Sequence, residues 1–261
     1  MDAALPVGFS EQGFSHDTFE ALLQTYVSPE GLVDYDGWHS SAGSVAQLDS
    51  YLAAVSTYSP DSAADRFPTR NDALAYWLYG YNAYVIKSVL DHWPISSVTD
   101  VRAPLEAVRG LGFFYQLRFS FGGRYLSLLA VETEQIRKQY KDARIHFVLN
   151  CASESCPIIR PELPTGDNLE QLLSQATRDF VNDSSNVSVD HDNQVVYLSK
   201  IFDWYKKDFI HDLQMDGKPV ANGLVSYVAQ WASGSLASDL ARAGEYEIRF
   251  RDYDWALNSQ H

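Results

Sequence analysis

The sequence predicts an α+β fold in which helices pack with a mainly antiparallel sheet. Apolar residues recur at helical spacing in the first third of the chain, and an alternating pattern around a Gly-Gly pair follows near residue 113. Further short strands then alternate with helices. Helices followed by hairpin strands are typical of α+β proteins. We expect one domain over residues 1–261, with a helical part at about 14–94 and a sheet-containing part at about 110–258, since no stretch resembles a linker.

The first third predicts two amphipathic helices with an ordered turn between them. Their apolar positions are Phe19, Leu22, Leu23 and Tyr26, then Leu48, Tyr51, Leu52 and Val55. The intervening GLVDYDGW segment, residues 31–38, combines glycine with paired aspartates, a composition typical of turns.

The strongest helix pattern runs from Asn71 to about Trp93, and Pro94 ends it. Asn71 or the aspartate after it would cap its start. Asn82 lies close to the apolar stripe of this helix. A buried amide without partners costs about 1–3 kcal/mol, so we expect this side chain to be hydrogen-bonded.

The middle of the chain predicts a β-hairpin and then a helix. Residues 113–120 and 124–128 alternate around the Gly-Gly pair, and Ser127 is placed to cap a helix over about 129–140 that carries Glu132. Residues 145–151 are apolar on both faces, which predicts a buried central strand. The last third predicts a helix at 168–180, strands near 187 and 195, a helical turn at 202–209, a helix at 223–231 and a strand at 246–251.

The charge balance excludes some classes of partner. Lys and Arg number 20 against 34 Asp and Glu, a formal charge of -14. Such a charge repels phosphate backbones and anionic membrane surfaces, so we expect neither nucleic acid nor a membrane as partner. No apolar run approaches the roughly 20 residues of a spanning helix, which predicts a soluble protein. The N-terminus shows no secretion signal pattern, although such a signal is removed on export.

Both cysteines and a histidine lie within one segment, RIHFVLNCASESCP, residues 144–157. In a strand, His146 and Cys151 would point to opposite faces. Cys156 follows a polar turn and precedes a proline, so the chain can fold back and bring its sulfur to the His146 face. The sequence therefore predicts that Cys156 and His146 form the reactive pair.

Such a pair predicts nucleophilic chemistry, because a neighbouring imidazolium lowers a thiol pKa from about 8.5 and so supplies thiolate at neutral pH. Glu132 is the candidate that orients the imidazole, and Asn82 is the alternative, either as orienter or as oxyanion donor. The predicted substrate-binding residues are Arg144, Asn150 and Cys151.

Three other interpretations of the same segment stay open. The cysteines and the histidine could be core residues, or Cys151 and Cys156 could form a disulfide, which the four-residue gap permits once the chain turns. A metal site would use His146 with both cysteines, but the spacing matches no zinc pattern. We therefore expect no metal and no cofactor.

Six segments in order along nearly the whole chain resemble the domain of unknown function 547 family. They are VDYDGW at Val33, ALAYWLYGYNAY at Ala73, LSLLAVETEQIR at Leu126, DARIHFVLNCASESCP at Asp142, LSKIFDWYKKDF at Leu198 and YDWALN at Tyr253. The positions that match the family pattern are Asn82, Glu132, Arg144, His146, Cys151, Cys156 and Pro157. Two positions depart from it: Tyr79 replaces the first asparagine of a helix pair, and Thr133 replaces a histidine that commonly follows the glutamate.

The resemblance implies no established reaction. Some relatives adjoin glutaredoxin-like modules, and bacterial relatives are often exported. Together with the residues, it implies a papain-like or transglutaminase-like thiol hydrolase or transferase acting on an amide or thioester bond of a small molecule or peptide. The alternatives are a peptide or small-molecule binding module with a structural Cys151–Cys156 disulfide, and a dithiol redox protein. We expect a periplasmic or secreted protein, with a cytoplasmic one as the alternative.

Overall fold

Helices and two small sheets make up the computed structural model, which describes residues 3–102, 110, 112–217, 220 and 223–260 and confirms the α+β class. The chain divides into two units that interleave along the sequence. The first comprises Met1–Tyr140, Val148–Gln171 and Trp255–His261, and the second comprises Lys141–Phe147 and Leu172–Asp254. One boundary therefore falls inside the segment that carries His146 and the cysteines. No helix in the described ranges has the length and apolar character needed to cross a membrane.

The first unit is built around one long buried helix. Its α-helices are α1 (Asp17–Tyr26), α2 (Tyr35–Ser40), α3 (Ala42–Thr57), α4 (Arg70–Asp91), α5 (Leu128–Ala130) and α6 (Lys138–Tyr140). Ala64–Arg66 and Val98–Asp100 form 3-10 turns, and Gly112–Gln116 and Val131–Arg137 are π-helical. The helix predicted from Asn71 is confirmed as α4, and a capping box formed by Thr69 and Asp72 begins it.

The predicted hairpin is confirmed with shorter strands, β1 (Phe119–Phe121) and β2 (Arg124–Leu126). Residues 112–116, which the alternation placed partly in the first strand, form a π-helix instead. Gly122 and Gly123 make the turn with φ values of 55° and 82°, the left-handed region that a two-residue hairpin turn requires. A Cβ atom at Gly122 would lie 2.1 Å from Ser59 Oγ, so glycine is needed there for space as well.

Residues 35–38 of the GLVDYDGW segment begin helix α2, so the prediction of a turn instead of a regular element was wrong for this half of the segment. Asp34 caps the helix by accepting the N–H of Gly37 (2.8 Å). Tyr35 and Trp38 are fully buried on this helix. The sequence signal for this helix was Asp34 as its cap, followed by Tyr35 and Trp38, whose spacing of three positions suits one face of a helix.

The second unit holds the other sheet and five α-helices of the described chain. The helices are α7 (Asn168–Asn182, which begins in the first unit), α8 (Lys200–Trp204), α9 (Lys206–Met215), α10 (Leu224–Ala229) and α11 (Gly234–Arg242). Strands β3 (Val187–Asp190) and β4 (Val195–Leu198) pair antiparallel, and β5 (Glu247–Phe250) pairs parallel to β4. The strands predicted near residues 187, 195 and 246 are confirmed. The core contains the rings of Phe147, Phe180, Phe202, Phe209 and Tyr227.

The strand predicted over residues 145–151 was wrong, because Ala143–Phe147 form a 3-10 helix. Asp142 starts this helix: its carboxylate accepts the N–H of Arg144 (2.9 Å) and its carbonyl accepts that of Ile145 (3.3 Å). An apolar run buried on both faces is common to strands and short buried helices, so the pattern alone could not separate them. The alternation that assigned His146 and Cys151 to opposite faces of a strand therefore does not apply.

Candidate functional site

The predicted site residues form two sets, one in each unit. The first unit contains Asn82, Glu132, Asn150, Cys151 and Cys156, and the second contains Arg144 and His146. Each set is described below within its own unit.

The cysteine loop, residues 150–157, brings the two sulfur atoms together. The backbone N–H of Cys151 donates to Cys156 Sγ (2.9 Å), and the two sulfurs, both thiols, lie 2.7 Å apart. The N–H of Cys156 donates to the carbonyl of Ser153 (3.0 Å), and Ala152 adopts a φ of 60°. The predicted turn thus folds the chain back and places Cys156 against Cys151.

Asn150 closes this loop from inside the protein. Its Nδ2 donates to the carbonyl of Pro157 (2.8 Å), and its Oδ1 accepts the N–H of Ala152 (2.8 Å). Only 2% of Asn150 is exposed. The side chain therefore joins the two ends of the loop, and its predicted substrate-binding role stays a prediction.

Asn82 on α4 holds the backbone that leads into the loop. Its Nδ2 donates to the carbonyl of Val148 (3.0 Å), and its Oδ1 accepts the N–H of Asn150 (2.9 Å). The expectation that this buried amide is hydrogen-bonded is confirmed. Both contacts are to backbone, so Asn82 positions the start of the cysteine loop.

The C-terminal residues 255–260 run along the same loop. The N–H of Glu154 donates to the carbonyl of Ala256 (2.9 Å), and the N–H of Asn258 donates to that of Ala152 (3.3 Å). Tyr35 donates its hydroxyl to Asn258 Oδ1 (3.0 Å). Burial, followed by the charges of the two cysteines, raises the pKa of Tyr35 well above its ordinary value, so its hydroxyl keeps its proton.

Sequence reasoning assigned no role to Tyr35 or Asn258. The available signal was that VDYDGW and YDWALN, the segments containing them, are both among the six that resemble the family. Nothing in the local pattern joins two residues that lie 223 positions apart.

Glu132 lies in the π-helical turn Val131–Arg137 and is 8% exposed. Its Oε1 is 3.8 Å from Nη1 of Arg137. Single π-turns within helices are frequent at functional sites, which is compatible with the role predicted for this carboxylate.

In the second unit, His146 is held by a carboxylate and a ring. Its Nε2 is 2.8 Å from Oδ2 of Asp208, and its imidazole stacks on Tyr205 with 3.8 Å between ring centroids. A carboxylate acceptor requires the proton on Nε2, so the contact fixes the tautomer. Asp208 and Tyr205 were missed by sequence reasoning, although both lie in the LSKIFDWYKKDF segment.

Arg144 pairs with a carboxylate two residues before it. Its Nε and Nη2 donate to the two oxygens of Asp142 (2.9 and 2.6 Å), and its Nη1 donates to Ser174 Oγ (3.0 Å). These bonds fasten the 3-10 helix to α7, and substrate binding by this residue stays a prediction.

Asp212 also contacts the 3-10 helix, one turn after Asp208 on α9. Its Oδ2 accepts the N–H of Ala143 (2.9 Å). Burial raises the pKa of Asp212 to about 7, against the lowering effect of that hydrogen bond; the charge of Asp142 raises it further. The two aspartates on α9 therefore hold opposite ends of the short helix that carries His146.

No group of three or more His, Cys, Asp or Glu side chains in the described part of the chain is arranged to hold a metal ion. The ligand set that the sequence offered, His146 with both cysteines, is accordingly not proposed as a metal centre.

A known protein family matches the part of the chain that carries the predicted site residues. Residues 66–181 match the family model described as "Protein of unknown function, DUF547". No curated protein and no solved structure matches the chain. The matched range contains all seven predicted site residues, whereas Asp208, Tyr35 and Asn258 lie outside it. The match therefore supports a DUF547 region, of unknown function, at residues 66–181 of this chain.

Proposed function

We propose that this protein is a thiol-dependent hydrolase or transferase acting on an amide or thioester bond, with Cys156 as nucleophile and His146 as base. The observation that carries the proposal is the N–H of Cys151, which donates to Cys156 Sγ at 2.9 Å. A hydrogen bond donated to sulfur favours the thiolate, and the thiolate is the nucleophile.

The contacts of His146 support its assignment as base. In catalytic triads a third group holds the imidazole by one nitrogen, so that the other nitrogen exchanges a proton with the nucleophile. Asp208 Oδ2 at 2.8 Å from Nε2 fits that third role, and the proton exchange is then assigned to Nδ1. In this proposal Asp208 takes the orienting role for which the sequence offered Glu132 or Asn82.

The proposed reaction follows from these roles. The Cys156 thiolate attacks the carbonyl carbon and forms a carbon–sulfur bond, and the substrate's carbon–nitrogen or carbon–sulfur bond breaks as the leaving group takes a proton from His146. Water in a hydrolase, or an amine or thiol in a transferase, then displaces Cys156. A papain-like or transglutaminase-like arrangement of the site is part of this proposal.

The test compares two variants with one cysteine each. Cys151→Ser leaves Cys156 as the single thiol and keeps the backbone N–H that donates to it, while Cys156→Ser is the matched control. We expect Cys156 to react with iodoacetamide at about pH 6 at least about tenfold faster than Cys151, because a tenfold gain corresponds to one unit of thiol pKa. His146→Gln and Asp208→Asn should each slow it. An alkylation midpoint near pH 8.5 that neither substitution moves contradicts the proposal.

The 2.7 Å contact between the sulfurs favours a second candidate, a dithiol redox protein. Trapping the wild-type thiols with N-ethylmaleimide in thiol–disulfide buffers, followed by mass spectrometry, separates the alternatives. A bridge that opens and closes with the buffer supports the redox function. A bridge that persists in mild reductant supports a binding module for a peptide or small molecule.

A further inference from the structure

Helix α9 presents two carboxylates to the 3-10 helix Ala143–Phe147. Asp208 contacts the His146 ring, and Asp212, four residues later, accepts the first N–H of the helix, that of Ala143. The early N–H groups of a helix have no partner within it. Asp212 therefore supplies a bond that a five-residue helix cannot make for itself.

The surroundings of Asp212 make that bond sensitive to charge. Asp142 and Arg144 face it from the start of the 3-10 helix, Asp216 from the position just after α9, and Tyr227 from α10. Tyr227 is only 2% exposed, and burial followed by the charge of Asp212 raises its pKa well above the ordinary value. The carboxylate of Asp212 thus sits among acidic neighbours, with one guanidinium that is itself engaged by Asp142.

We propose that Asp212 is a positioning residue for His146: its carboxylate anchors the first turn of the 3-10 helix, and a proton gained by Asp212 weakens that anchor and shifts the imidazole against Asp208. The relevance of this device to catalysis rests on the proposed function. The device itself lies wholly within the second unit.

The strength of the bond supports the proposal. A hydrogen bond from an N–H to an ionised carboxylate is about twice as strong as one to a neutral acceptor. The pKa of Asp212, raised to about 7 chiefly by burial, places the change between the two states near neutral pH.

Nuclear magnetic resonance of the full chain, labelled in alanine and histidine, tests the proposal between about pH 5 and 9. The variants Ala143→Gly and His146→Gln assign the two signals. In the wild type we expect the Ala143 amide and the His146 ring nitrogens to share a midpoint near pH 7. In Asp212→Asn, which keeps an acceptor without the charge, both signals should lose that midpoint. In Asp212→Ala the Ala143 amide should exchange with solvent about tenfold faster.

The matched control is Asp216→Asn, which removes an exposed carboxylate just after the end of α9. The two signals should still share one midpoint, slightly lowered because the charge of Asp216 also raises the pKa of Asp212. His146 ring signals in Asp212→Asn that follow the wild-type curve overturn the proposal. If Asp212→Ala does not fold, Asp212→Asn decides alone. Neither readout involves Cys156, so a failed alkylation test rejects the proposed function without touching this result. The reverse outcome rejects only the role of Asp212.

Discussion

The cysteine loop and the 3-10 helix that precedes it are adjacent in sequence but are held by different chemistry. Neutral groups hold the loop: the amides of Asn82 and Asn150, the hydroxyl of Tyr35 and the backbone of residues 255–260. Carboxylates hold the helix, from Asp142 directly before it and from Asp208 and Asp212 on α9. A unit boundary at residues 147 and 148 separates the two regions.

Two neighbouring parts of one sequence motif are thus held in place by two different networks of contacts. A network of neutral amides and backbone groups does not change its charge over the physiological pH range. A network of carboxylates around a histidine can change its charge over that range. Substitutions of the neutral groups that hold the loop should therefore alter stability equally at every pH, and substitutions of the carboxylates around the helix should alter how stability depends on pH.

The largest effect is expected for Asn82→Ala. The substitution leaves the carbonyl of Val148 and the N–H of Asn150 without the partner that the buried amide supplies. Each such loss costs about 1–3 kcal/mol, so we expect the free energy of unfolding to fall by about 3 kcal/mol in urea titrations followed by tryptophan fluorescence. Asn193→Ala is the control, because Asn193 is exposed in a turn and should cost about 0.5 kcal/mol. Equal losses would mean that Asn82 does not support the loop.

Periodicity and turn chemistry predicted the parts of the fold that depend on local sequence. Helix α4, the Gly-Gly hairpin, the Ser127 cap and the turn before Cys156 follow from residues within a few positions of one another. The buried amide of Asn82 was predicted to have partners, but its partners could not be named, because they lie 66 and 68 positions away.

The 3-10 helix shows why the rest of the site could not be predicted. Its apolar residues suited a strand equally well, and the local evidence for a helix was a single cap, Asp142. The two aspartates on α9 that hold it lie 62 and 69 positions along the chain from their partners. Because this helix was predicted as a strand, the argument that His146 and Cys151 point to opposite faces does not hold. Asp208 was missed because nothing near His146 in the sequence indicates it.

A smaller effect, with no pH dependence, is expected for Tyr35→Phe. The ring stays in place, and Asn258 Oδ1 loses one donor, which costs about 1 kcal/mol. Since the pKa of Tyr35 is raised by burial and by the nearby cysteines, the lost bond is present at every pH between about 5 and 9 and the cost should be constant. Urea titrations over that range measure it, with the exposed Tyr125→Phe as control. A cost that varies with pH would show that the bond between Tyr35 and Asn258 is coupled to a titrating group, such as the cysteines of the loop.

The last expected effect, that of Asp212→Asn, lies in the slope of stability against pH. An ordinary aspartate carboxyl, as in the unfolded chain, has a pKa of 3.8, whereas the pKa of Asp212 in the folded protein is about 7. Between about pH 4 and 7 the folded protein keeps a proton that the unfolded chain has lost, so this group lowers the free energy of unfolding as pH rises.

Asp212→Asn removes that contribution. The difference in unfolding free energy between the variant and the wild type should therefore increase from about pH 4 to 7 and stay level above. Urea titrations at about pH 4.5, 6 and 8 measure the slope, and Tyr35→Phe in the same buffers supplies the flat reference. A difference that stays level for both variants would remove the contrast between the neutral support of the loop and the charged support of the helix.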